Sequence, residues 1–74
     1  MMNKEELLKK FGKNVKIARI KKDLTQEQLA NIMNVNQNYI ATIETGKANM
    51  SLAKILELAN FLNTNISNLL IFDE

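Results

Sequence analysis

Apolar residues recur along this chain at intervals of three and four, and short polar residues open and close each run. That interval is the repeat of one face of an α-helix. Proline is absent and glycine occurs only twice, which favours helices joined by short turns.

Five helical segments are expected on this basis, giving an all-α fold. The first runs from about Lys4 to Lys22, with Leu8, Phe11, Val15 and Ala18 as its apolar stripe and lysines elsewhere. It should close at Asp23, a residue type that tolerates the left-handed backbone region. The second opens at Thr25-Gln26-Glu27-Gln28, which fits a capping box: Thr25 accepts from the backbone and Gln28 reaches back. Leu29, Ala30 and Met33 form its buried side, and Asn34 marks a sharp turn that needs a positive φ. The third opens at the N-cap Asn36, spans 37–45 and stops at Gly46. Ile40 and Ile43 point inward with Val35, and the remaining side chains are short, polar and uncharged until Glu44. Ser51 caps the fourth, whose inward stripe is expected to be Leu52, Ile55, Leu56, Ala59 and Leu62. Asn63 ends it, and Asn65 caps a short fifth segment with Ile66, Leu69 and Leu70 facing the core. The tail Ile71-Phe72-Asp73-Glu74 is apolar and then acidic. No repeat, linker or low-complexity stretch interrupts residues 1–74, which read as a single domain.

A chain of 74 residues buries only about 60% of the surface that its unfolded form exposes. It needs its apolar residues in the core, or a second copy to cover what remains. With no cysteine, neither disulfides nor thiolate metal sites contribute. With no histidine, the commonest general base and metal ligand are missing. Enzymatic chemistry would rest on carboxylates, lysines or hydroxyls, and Glu5-Glu6 and Asp73-Glu74 are neighbours in sequence rather than convergent groups. The reading is therefore no enzyme, no metal, no cofactor and no small-molecule ligand. No apolar run approaches the roughly 20 residues of a membrane span, and the N-terminus lacks a signal-peptide core, so a cytoplasmic protein, bacterial or phage-encoded, is expected. The charge is unevenly placed. Residues 1–22 hold eight basic side chains against Glu5 and Glu6, a net +6, whereas 23–74 carry a net −4. A basic segment of this kind suits a polyanion, either nucleic acid or an anionic membrane surface.

Leu24-Thr25-Gln26-Glu27-Gln28-Leu29-Ala30, then Asn34-Val35, Tyr39-Ile40 and Ile43-Glu44-Thr45-Gly46-Lys47 stand in one register. With Ser51-Leu52, Leu56, Ala59, Leu62 and Arg19, they resemble the Xre/Cro/phage-repressor helix-turn-helix family over about residues 8–70. The resemblance implies a compact five-helix, lambda-repressor-like domain whose helices 2 and 3 form the helix-turn-helix. It implies a transcriptional regulator that reads double-stranded DNA in the major groove with helix 37–45. Gln37 and Asn38 are then the base-contacting candidates, since a carboxamide can pair with the N6/N7 edge of adenine. Ala41 and the Thr42 methyl are placed to meet a thymine methyl. Phosphate contacts fall to Gln26, Thr25, Asn36, Lys47 and Asn49. The resemblance also makes Arg19 and Glu44 a structural salt bridge between the first and third helices. The family commonly has glycine where this chain has Asp23, Asn34 and Asn63. It also commonly uses basic recognition residues, whereas none lies between Val35 and Gly46 here, which favours A·T-containing sites.

Useful affinity from so small a reader normally needs two copies on a palindromic operator. Phe61, Leu69, Ile71 and Phe72 are the expected interface of a homodimer, the alternative being that they only close the core. Within the family, a phage-type repressor and a restriction–modification controller protein both suit this chain. An antitoxin, or a protein-interaction module on the same fold, is the other reading.

Overall fold

Each of the four longer helices begins where a short polar side chain accepts a bond from an otherwise unpartnered backbone N–H. In the computed structural model, which describes residues 1–72, the order is α1 (Lys4–Lys21), α2 (Gln26–Met33), α3 (Gln37–Glu44), α4 (Leu52–Phe61) and α5 (Ile66–Leu70). The expected acidic pair Asp73-Glu74 lies outside the described residues. Asn3 accepts from the Glu6 N–H, Thr25 from Gln28, Asn36 from Tyr39 and Ser51 from Lys54. The Thr25 N–H donates in return to the Gln28 side chain at 2.8 Å, completing the capping box. Only α5 starts without a side-chain cap.

The same four helices end alike. Asp23, Asn34, Gly46 and Asn63 have φ between +51° and +80°. The N–H after each donates to a carbonyl five residues back: Leu24 to Arg19, Val35 to Ala30, Lys47 to Thr42 and Thr64 to Ala59. This is the Schellman closure. Asn and Asp occupy three of the four left-handed positions because they tolerate that region better than other residues with a Cβ.

The core draws on every helix: Phe11 and Val15, Leu29 and Ala30, Ile40 and Ile43, Leu58, Ala59 and Leu62, and Leu69. α1 crosses α3 so closely that Gly12 has no room for a side chain. A Cβ there would strike the Ile43 carbonyl and lie 2.7 Å from that of Glu44.

Three expectations are corrected. Leu52 and Leu56 do not line the core but are 68% and 48% exposed, while Leu58 is fully buried in their place. Apolar residues fall on more than one face of α4, so their spacing alone does not select its rotation; packing against α2 and α5 does. Leu69, expected both to face the core and to stand at a dimer interface, is 0% exposed and lies in the core. A single-turn helix can be held only by its few inward side chains, and Leu69 is the buried one in α5. Its neighbour Leu70, expected inward, is at the surface.

Candidate nucleic-acid interface

The turn Asn34-Val35-Asn36 joins α2 to α3 with no spare residue. Asn34 reverses the chain at φ +57°, half-buried Val35 packs against the core, and Asn36 caps α3. Ile40 and Ile43 anchor α3 from beneath, with Tyr39 half-buried beside them. The opposite face turns outward. Gln37 and Asn38 are exposed in its first turn, and Ala41 and Thr42 follow, partly exposed. The Thr42 hydroxyl donates to the Asn38 carbonyl at 2.8 Å, and that of Thr45 to the Ala41 carbonyl at 2.9 Å. Their protons are thereby engaged within the helix, and what Thr42 retains for an outside partner is its methyl group and an acceptor. The Gln37 and Asn38 carboxamides, by contrast, keep both donors and acceptor available for two-point pairing.

A buried polar cluster ties α3 to α1 as well. Arg19 Nε donates to Glu44 Oε2 at 2.7 Å and Nη2 to Oε1 at 3.0 Å, a two-point pairing, while Nη1 donates to the Leu24 carbonyl at 2.7 Å. The side chains are 9% and 3% exposed. The hydrogen bond to Glu44 raises the guanidinium above its ordinary value against the opposing effect of burial, and the Glu44 charge adds to the rise. No buried side-chain polar atom is left without a partner among the described residues.

Gln26 joins this cluster, its Nε2 donating to Glu44 Oε1 at 3.2 Å. Sequence reasoning placed Gln26 on the outside as a phosphate contact and did not foresee this bond. A primary amide has two N–H groups, so one remains for an outside acceptor. The Thr25 oxygen is taken by its cap bond and the Asn36 side-chain oxygen likewise. Thr25 keeps its hydroxyl proton and Asn36 its amide protons. Lys47 and Asn49 are exposed in the segment between α3 and α4. Of the residues expected at a dimer interface, Phe61 and Ile71 are exposed, and Phe72 is half-buried against the core. Asn14 had no expected role, yet its side chain donates to two carbonyls at the C-terminal end of α5. No local signal could have singled it out, because its partners lie 55 and 57 residues away.

Among the described residues no helix is long and apolar enough to cross a membrane. Residues 15–69 match the helix-turn-helix family, a narrower span than the expected 8–70. Control protein C.SmaI of Serratia marcescens is 37% identical over 60 residues, covering 81% of this chain and 71% of that protein. An uncharacterized HTH-type transcriptional regulator of Archaeoglobus fulgidus is 38% identical over 60 residues, covering 81% and 84%. The restriction-modification controller protein C.AhdI from Aeromonas hydrophila superposes with a TM-score of 0.76 at 37% identity, covering 84% of this chain and 94% of that one. The DNA-binding domain of BldD shares the fold, with a TM-score of 0.85 at 19% identity. With α2 and α3 as its paired helices, the chain belongs to the helix-turn-helix family, in the Xre-type group of sequence-specific DNA-binding transcriptional regulators.

Proposed function

We propose that this protein is a regulator of the restriction–modification controller type, binding a palindromic operator as a homodimer. Gln37, Asn38, Ala41 and Thr42 read base edges in the major groove. Thr25, Gln26, Asn36, Lys47 and Asn49 hold the flanking phosphates. The observation that carries this reading is the pair of exposed carboxamides opening α3, on a helix fixed from behind by the buried Arg19–Glu44 pair. A carboxamide offers adenine one donor and one acceptor, and each such two-point contact discriminates by about 1–3 kcal/mol. The reading is one of binding and not of catalysis: the relatives that share the fold and a third of the sequence are regulators.

The controller assignment rests on C.SmaI and C.AhdI. Dimerisation is supported by the apolar side chains that α4, α5 and the residue after them leave at the surface: Leu52, Leu56, Phe61, Leu70 and Ile71. A two-fold pair would set its recognition helices about 34 Å apart, one turn of DNA.

Fluorescence anisotropy with the duplex upstream of the protein's own gene, and with a scrambled duplex of equal composition, tests the reading. Tighter binding to the native duplex, kept at higher salt and lost in Gln37→Ala, is the expected result. Equal and steeply salt-dependent binding to both would reduce the protein to a basic surface touching phosphates and overturn the reading.

A further inference from the structure

α5 is a single turn of helix with no side-chain cap at its start, and so short a helix does not hold itself together in water. The backbone carbonyls at its C-terminal end have no partner within the helix. One residue supplies them from across the molecule. Asn14, in the middle of α1, donates through Nδ2 to the Leu69 carbonyl at 3.1 Å and to the Ile71 carbonyl at 2.8 Å. Both partners are acceptors only, so the amide must present its NH2 group here, and both of its protons are used. The two bonds straddle the point where the chain leaves the helix, since Ile71 is already extended at φ −89° and ψ 121°. They fix both where α5 ends and the direction in which the chain continues. Leu69 beneath is sealed in the core, while Leu70 and Ile71 beside it remain at the surface. The inward side chain therefore anchors the turn, and the Asn14 amide sets how its outer side chains are presented.

We propose that Asn14 is the positioning residue of the homodimer surface: it holds the Leu70–Ile71 segment in the orientation a second copy recognises. This rests on the dimeric reading above. The two bonds act on the end of α5 and not on the buried core that carries the fold, so their loss loosens this segment locally and leaves the other helices packed. The consequence falls on association, because a loosened apolar segment must be ordered again each time two copies meet.

Sedimentation equilibrium tests this, with circular dichroism to confirm retained helix. Asn14→Ala should weaken dimerisation about tenfold, the cost of ordering a loosened segment again in each of the two copies. Asn14→Asp should weaken it further at neutral pH, since a carboxylate would face two carbonyl oxygens with nothing to donate. Asn3→Ala, which removes the α1 cap bond to Glu6, serves as a control for general loss of stability and should leave the dimer constant unchanged. Binding of one domain to a half-site duplex should be the same for wild type and Asn14→Ala. A wild-type dimer that Asn14→Ala and Asn14→Asp leave intact overturns this assignment alone, as does an equal loss in Asn3→Ala. A wild-type chain that stays monomeric at all concentrations overturns the dimeric reading and this assignment with it.

Discussion

Arg19 uses three N–H groups, two on Glu44 and one on the Leu24 carbonyl, and neither member of the pair has water to fall back on. Arg19→Met should lower the unfolding free energy by about 3–5 kcal/mol, because the Glu44 charge is left buried and uncompensated. A urea titration at unchanged slope would show it as an earlier midpoint. Because bonding to Glu44 raises the Arg19 value, its stabilising contribution is complete below the ordinary guanidinium value and fades only above it. No alkaline loss traceable to this pair should therefore appear in an accessible pH range. Asn38→Ala acts on recognition instead. It should cost about 1–3 kcal/mol of preference for the correct base pair, concentrated at one operator position, in competition against single-base variants. Arg19 and Glu44 were legible as a pair only through the family resemblance, and the Gln26 bond was not legible at all. A sequence shows which residues can donate and accept, but not which of them share a buried neighbour.

The elements were legible mostly at their ends. Caps and left-handed closures are local chemistry, decided by a side chain and a backbone within three or four residues of it. Thr25, Asn36 and Ser51 could thus be read directly, and so could Asp23, Asn34 and Asn63. Asn34 bears a Cβ in a region where glycine has none to accommodate. Asn34→Gly should therefore raise stability by up to about 1 kcal/mol, after its greater unfolded-state freedom is subtracted. In a domain of this size that is a rise in Tm of about 4–8 °C. Gly46→Ala should do the reverse, since φ is +80° and the new Cβ would lie 2.8 Å from the Lys9 Cα. The spacing leaves the rotation of α4 open, because a helix apolar on several faces offers its neighbours a choice.

At the scale of the whole molecule, α4 and α5 turn apolar side chains both inward and outward. On the proposed dimeric reading a second copy docks on the outward set, and its replacement should separate association from folding. Leu56→Glu is expected to leave the helical content and the melting transition nearly unchanged, as Leu56 is half-exposed. It should shift sedimentation to that of a monomer and flatten the cooperative operator-binding curve. A variant that instead unfolds would show that Leu56 supports the core. The basic character of residues 1–22 acts at this scale too, drawing the protein to DNA before any base is read and weakening with salt.

The sequence by itself determined where helices start and stop, which turns are left-handed and which face of α3 is polar. Those features depend on interactions within a turn or two of the chain. Tertiary structure alone decided that Leu58 goes inside while Leu52, Leu56 and Leu70 stay out, and that Gln26 joins the Arg19–Glu44 pair. It also decided that Asn14 closes the end of a helix more than fifty residues away. The physical reason is that burial and long-range hydrogen bonding are settled between elements. A side chain's partner there depends on how two helices cross, and the close fit of Gly12 against α3 shows how tightly that crossing is specified.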